Sequence, residues 1–219
     1  MTITQPPPRP VCPRCRLPQR SCLCHWIRAT DNTLPLLILQ HPQERTHPKG
    51  SARLLGLSLR HCRIEVGEAF DPAALQTWIS APAPGSTRPV QALLLYPAAE
   101  PVPCHTGPPQ PQAPATKLVD PAGWRLVLLD GTWRQSRQLL RANPLLQRLP
   151  RWPLPQPAPS RYAIRKAQRP DQRSTLEAAC AALAALEGDP GRCAPLLAAF
   201  DGWVGERERW SAGAVPQRG

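Results

Sequence analysis

The chain has 219 residues, 31 of them proline and eight cysteine, and a net charge of +12. That length can bury a core of its own as one domain with a small appendage. No apolar stretch is long enough for a membrane span, and residues 1–10 are too polar and proline-rich for a secretory signal, so a reducing, cytoplasmic compartment is expected and thiols or metal ligands are favoured over disulfides.

Residues 1–10 read as a disordered tail. Residues 11–28 hold Cys12, Cys15, Cys22 and Cys24, close enough for four thiolates to converge on one ion. Zinc suits four sulfurs in a closed structural site, and such an ion would hold together a segment with little core. Two local disulfides or a redox pair are the alternative. His25 reads as a bystander. Arg9, Arg14, Arg16, Arg20 and Arg28 flank this knuckle and make it a plausible RNA contact.

Residues 34–40 (LPLLILQ) form an apolar run expected to be a buried strand, and residues 44–60 are expected to be one helix with Leu54, Leu55 and Leu59 inward. A second strand is expected at 62–66 and a helix at 72–79, capped by Asp71 with Pro72 in its first position. A third strand covers 91–96. Residues 101–116, with six prolines, read as an irregular loop. A fourth strand at 125–130 leads into a helix at 133–141. A proline-rich turn is expected at 150–159 and an alternating strand at 161–165. Helices follow at 174–186, opened by a Ser174–Glu177 capping box, and at 194–210. Alternating strands and helices with wholly apolar strands predict an α/β fold: a mostly parallel sheet with helices on both faces. Residues 29–212 would form this domain.

Ligands of such sheets bind beyond the carboxyl ends of the strands. Three ends carry suggestive residues: Gln40-His41-Pro42, Tyr96-Pro97 and Asp130-Gly131-Thr132-Trp133. At a strand-to-helix junction Asp130 is equally a helix cap or a site residue, and Thr132 either caps the helix or offers a hydroxyl. Arg134, Arg137 and Arg141 share a helix face at spacings of three and four, a phosphate clamp or a solvated surface. Residues 125–173 carry 11 basic and 2 acidic groups, and residues 1–30 carry 5 and none. These two basic blocks favour a polyanionic partner over arginine used for solubility alone. No GxGxxG, Walker sequence or nucleophile elbow is present.

Together these residues resemble the DTW-domain family, the tRNA-uridine aminocarboxypropyltransferases. The resemblance rests on the four cysteines, Gln40-His41-Pro42-Gln43-Glu44, Arg53-Leu54-Leu55, Leu94-Leu95-Tyr96-Pro97, Asp130-Gly131-Thr132-Trp133, Ser160-Arg161-Tyr162 with Arg165-Lys166, and Ser174-Thr175-Leu176-Glu177-Ala178. It departs at Gly50-Ser51, where an Asn-Thr pair is expected. The resemblance implies a SPOUT-like fold with a C-terminal trefoil knot, an exception to the rule of unknotted chains. It also implies transfer of the 3-amino-3-carboxypropyl group of S-adenosylmethionine to N3 of a tRNA uridine, at position 47 of the variable loop in bacterial members, releasing 5′-methylthioadenosine. Asp130 becomes the candidate general base. Tyr96, Pro97 and Trp133 would wall the adenosine. Asp130, Gly131, Thr132, Ser160, Tyr162, Ser174, Thr175 and Glu177 would complete the cofactor site. Arg53, Arg134, Arg137, Arg141, Arg161, Arg165 and Lys166 would meet the tRNA. No obligate protein partner is implied. A SPOUT-type RNA methyltransferase and a non-catalytic zinc-knuckle RNA-binding protein are the other two readings.

Overall fold

All five residues of strand β1 (Leu36–Gln40) are buried. The reason lies in the sheet it belongs to, formed with β2 (Cys62–Val66), β3 (Gln91–Leu95), β4 (Trp124–Asp130) and β5 (Arg151–Trp152) in the order β2-β1-β4-β3-β5. Every neighbouring pair is parallel. The computed structural model describes residues 10–47, 50–82, 85–97, 117–154 and 173–211. Side chains alternate across a sheet. Leu36, Ile38, Leu126 and Leu128 therefore enter one apolar core, and Leu37, Leu39 and Val127 enter another on the opposite face. Each fully buried leucine contributes about 1.5–3 kcal/mol relative to exposure, which makes a wholly apolar strand stable only in this central place.

Seven α-helices lie among the described residues: α1 (Pro42–Arg45), α2 (Ala52–Ser58), α3 (Pro72–Ser80), α4 (Trp133–Ala142), α5 (Pro144–Gln147), α6 (Thr175–Glu187) and α7 (Ala194–Ser211). Leu54 and Leu55 of α2, Leu183 of α6 and Phe200 of α7 fill the first core; Leu75 of α3, Leu140 of α4 and Leu146 of α5 fill the second. The α/β class with helices on both faces is thus as expected. Asp71 accepts the Ala74 amide at 2.9 Å and Pro72 opens α3. At the far end of α6, Glu187 accepts the amides of Thr33 and Leu34, both at 2.7 Å, and so anchors the entry to β1. No helix among the described residues is long and apolar enough to cross a membrane.

Two expectations are corrected. The single helix expected at 44–60 is two helices, α1 and α2, with Gly50 donating to the His47 carbonyl at 3.0 Å between them. Pro48 removes a backbone donor there and Gly50 is a weak helix former, so apolar spacing loses to them. Within the expected proline-rich turn, Arg151 and Trp152 pair with Leu94 and Leu95 as an edge strand. Pro150 and Pro153 confine it to two residues, and an edge strand tolerates prolines because only one side of its ladder is used. The tail at 1–9, the loop at 101–116 and the strand expected at 161–165 lie outside the described residues. A trefoil knot would need the path from β5 to α6, and residues 155–172 of that connection lie outside them too.

Candidate functional site

The register of β1 and β4 sets Gln40 directly beside Asp130. Both side chains fall on the Leu36/Ile38 and Leu126/Leu128 face, the one covered by α6, so the first residue of α6 meets the end of β4. The outcome is a buried cluster. Asp130 is 3% exposed. Gln40 Nε2 donates to its Oδ2 at 2.8 Å, and the Thr175 hydroxyl donates to its Oδ1. The backbone is tied as well, with the His41 amide on the Asp130 carbonyl at 2.9 Å.

The helix cap is a different residue. Thr132 Oγ1 accepts the Gln135 amide at 3.3 Å, and Gln135 Oε1 accepts the Thr132 amide at 2.6 Å. Both capping bonds are made by Thr132 and Gln135, so Asp130 is not the cap of α4. Gly131 is required at this turn, since a Cβ there would stand 2.9 Å from Gln135 Cβ.

A cavity of about 310 Å³ opens beside the cluster, at the carboxyl ends of β3, β4 and β5. Leu95, Pro97, Leu128 and Leu154 make it mainly apolar; Ser136, Thr175 and Arg173 bring polar groups to its wall. Tyr96 and Trp133 meet edge to face with ring centroids 6.0 Å apart, and both line the cavity. Trp133 is 41% exposed, a large apolar surface left open at the mouth. Size and character suit a nucleoside-sized ligand at the lower end of the usual pocket range, about 300–1,000 Å³.

Of the expected cofactor residues, Tyr96, Pro97, Gly131, Trp133 and Thr175 come together on this wall. Asp130 lies behind Thr175. Ser174 and Glu177 are buried in a mutual capping box, with Ser174 Oγ and its amide donating to Glu177 Oε2 at 2.8 and 2.9 Å. Ser160 and Tyr162 lie outside the described residues, as do Arg161, Arg165 and Lys166. Arg134, Arg137 and Arg141 are exposed along α4. Arg53 is engaged internally: it donates to the Cys15 carbonyl at 3.0 Å and the Arg45 carbonyl at 2.6 Å, joining the knuckle to α1 and α2. The sequence singled out Gln40 without a role and overlooked Arg173, Ser136 and Leu154. A polar residue closing an apolar strand was the available signal for Gln40; none marked Leu154.

In the knuckle, Cys12 and Cys24 Sγ are 3.6 Å apart, Cys15 and Cys22 Sγ 3.7 Å apart, and all four lie within 4.8 Å of one another. A tetrahedron with metal–sulfur bonds of about 2.3 Å has edges of about 3.8 Å, so the four thiols fit a metal such as zinc. Backbone amides of Cys15 and Arg14 lower the Cys12 thiol to about 6, while burial pushes Cys24 up to about 12. Binding a divalent cation would require all four cysteines as thiolates. The knuckle docks on α7 through Trp26, whose Nε1 donates to Glu206 Oε2 at 2.8 Å. His25 Nε2 lies 3.4 Å from the same carboxylate, away from the cysteines' role.

The fold and site define a parallel α/β protein with a nucleoside-sized cavity at its strand ends and a four-cysteine knuckle on one face. The model of the DTW domain matches residues 9–207, and the chain belongs to that family. It is 32% identical over 199 residues to the Drosophila melanogaster protein named tRNA-uridine aminocarboxypropyltransferase 2, across 86% of this chain and 72% of that one. Proteins of the same name from Mus musculus and Macaca fascicularis are 31% and 30% identical across 82% of this chain. The chain spans 57% of each of those two mammalian relatives. No solved structure matches it.

Proposed function

We propose that the chain is a tRNA-uridine aminocarboxypropyltransferase of SPOUT-like, knotted fold, acting in the cytoplasm. It transfers the 3-amino-3-carboxypropyl group of S-adenosylmethionine to N3 of a tRNA uridine, at position 47 of the variable loop, leaving 5′-methylthioadenosine. The observation that carries this reading is the strand-end cavity, bounded by Trp133 and Thr175 with the anchored Asp130 behind it, in a chain of this family whose relatives bear that name.

The cavity's residues divide the work. Tyr96, Pro97 and Trp133 offer flat apolar surface to an adenosine. Arg173 offers a cation to the donor's carboxylate. The donor itself supplies an already activated leaving group, its sulfonium, so the protein chiefly positions the reactants. Uracil N3 must lose a proton to attack, and Asp130 is the base. Gly131 lets the backbone turn tightly beside the cavity; Thr132, Ser174 and Glu177 keep that wall in place through their caps. Arg134, Arg137 and Arg141 present a basic stripe to tRNA phosphates, and Arg161, Arg165 and Lys166 add positive charge for the same partner. Zinc in the knuckle is structural.

The test is direct. The protein is incubated with unmodified tRNA and S-adenosylmethionine, the tRNA is digested, and nucleosides are identified by mass. A uridine carrying the aminocarboxypropyl group with 5′-methylthioadenosine as by-product is expected. A methylated nucleoside with S-adenosylhomocysteine would make the chain a methyltransferase, and no cofactor binding at all would leave a binding protein.

A further inference from the structure

Resting on that reading, we infer that Thr175 is the atom-level contact between the enzyme's buried carboxylate and the uridine: Thr175 Oγ1 takes the N3 proton while its own proton passes to Asp130. Three observations carry this. Thr175 lines the cavity, whereas Asp130, 3% exposed, lies behind it. The Thr175 hydroxyl donates its one proton to Asp130 Oδ1, so what it turns to any other group is lone pairs alone. Gln40 Nε2 holds the other carboxylate oxygen at 2.8 Å from a residue in register with Asp130, which keeps the carboxylate facing Thr175. Thr175 is also the first residue of the 13-residue helix α6, which fixes its hydroxyl against the end of β4.

In this step the N3–H bond breaks and its proton joins Thr175 Oγ1 as the hydroxyl proton joins Asp130 Oδ1. The N3 electron pair forms the bond to the donor's terminal methylene carbon, and the electron pair of the broken carbon–sulfur bond stays with sulfur as a neutral thioether. Asp130 later releases the proton to water. Thr175 touches the substrate in this scheme; Asp130 and Gln40 act through it.

The experiment compares the full chain with Thr175→Val, Thr175→Ser, Asp130→Asn and the Asp130→Asn/Thr175→Val double variant. Turnover on unmodified tRNA, S-adenosylmethionine affinity by calorimetry and thermal melting are measured for each. Loss of general-base catalysis predicts a fall of about 100-fold or more in kcat for Thr175→Val, with cofactor affinity within about threefold of the parent. Thr175→Ser, which keeps the hydroxyl, is expected to return kcat to within about tenfold. The double variant is expected to be no slower than the slower single one, because both members serve one relay. Thr175→Ala, which only deletes atoms, is read alongside in case valine impairs folding. Three results overturn the relay: Thr175→Val with kcat within about threefold of the parent, a defect confined to cofactor affinity, or losses that multiply in the double variant. A parent protein that modifies no uridine overturns the activity itself, an outcome distinct from an active enzyme indifferent to Thr175.

Discussion

Asp130 is held from two directions by residues 90 and 45 positions away in the chain, Gln40 and Thr175. Its location at the end of an apolar strand was legible in the sequence. Its partners were not, because a carboxylate before a helix is most simply a cap, and Gln40 and Thr175 lie far from it in the sequence. Thr132 resolves the matter locally by forming the cap with Gln135. Gln40 gives the clearest prediction at this scale. Gln40→Met keeps the shape and removes one donor from a buried carboxylate, at a cost of about 1–3 kcal/mol. For a chain of this size that lowers Tm by roughly 2–4 °C per kcal/mol. Turnover should fall at least tenfold as Asp130 loses its orientation. A Gln40→Met protein that melts and turns over like the parent would remove the anchoring role.

Among the elements, the contact between the knuckle and α7 depends on a missing side chain. A Cβ on Gly202 would stand 2.3 Å from Trp26 Cζ3, and Trp26 is pinned by its bond to Glu206. In a helix, alanine is favoured over glycine by about 1 kcal/mol; overpacking at a fitted contact costs about 1–3 kcal/mol. The overlap should win, so Gly202→Ala is expected to lower Tm and to speed amide exchange across residues 11–28. A protein made more stable by this change would show that the knuckle is free to shift. The sequence marked α7 as a helix but held no sign of this seat, since a glycine's use here depends on which ring it meets. β5 escaped notice for a related reason: two residues between prolines carry no periodicity, and only the exposed edge of β3 makes them a strand.

At the scale of the molecule, charge and metal govern the predictions. Changing Arg134, Arg137 and Arg141 to alanine together should weaken tRNA binding and reduce the slope of log affinity against log salt by about 1 for each phosphate no longer neutralised. Melting should hardly move, since all three are exposed. An unchanged slope would make the stripe a solvated face. With the proposed zinc in the knuckle, a chelator should loosen residues 11–28 and lower Tm, because Cys12, Cys15 and Leu23 belong to the same core as α2, α6 and α7 and Arg53 ties them to α1. Restoring zinc should restore both; a chelator without effect on melting or exchange would exclude a structural ion.

The amino-acid sequence by itself determined the parallel α/β class, the four-cysteine cluster, the caps of α3 and α6 and the motif at the end of β4. Each is a local property, written in apolar runs, turn residues and short spacings. The tertiary structure decided what no short window contains: that the 44–60 segment breaks, that β5 exists, that Arg53 ties the knuckle to α1, and that Gln40, Asp130 and Thr175 form one cluster with Thr175 on the cavity side. Those outcomes follow from strand register and from which helix covers which face, and both are settled only when segments far apart in the chain compete for the same buried surface.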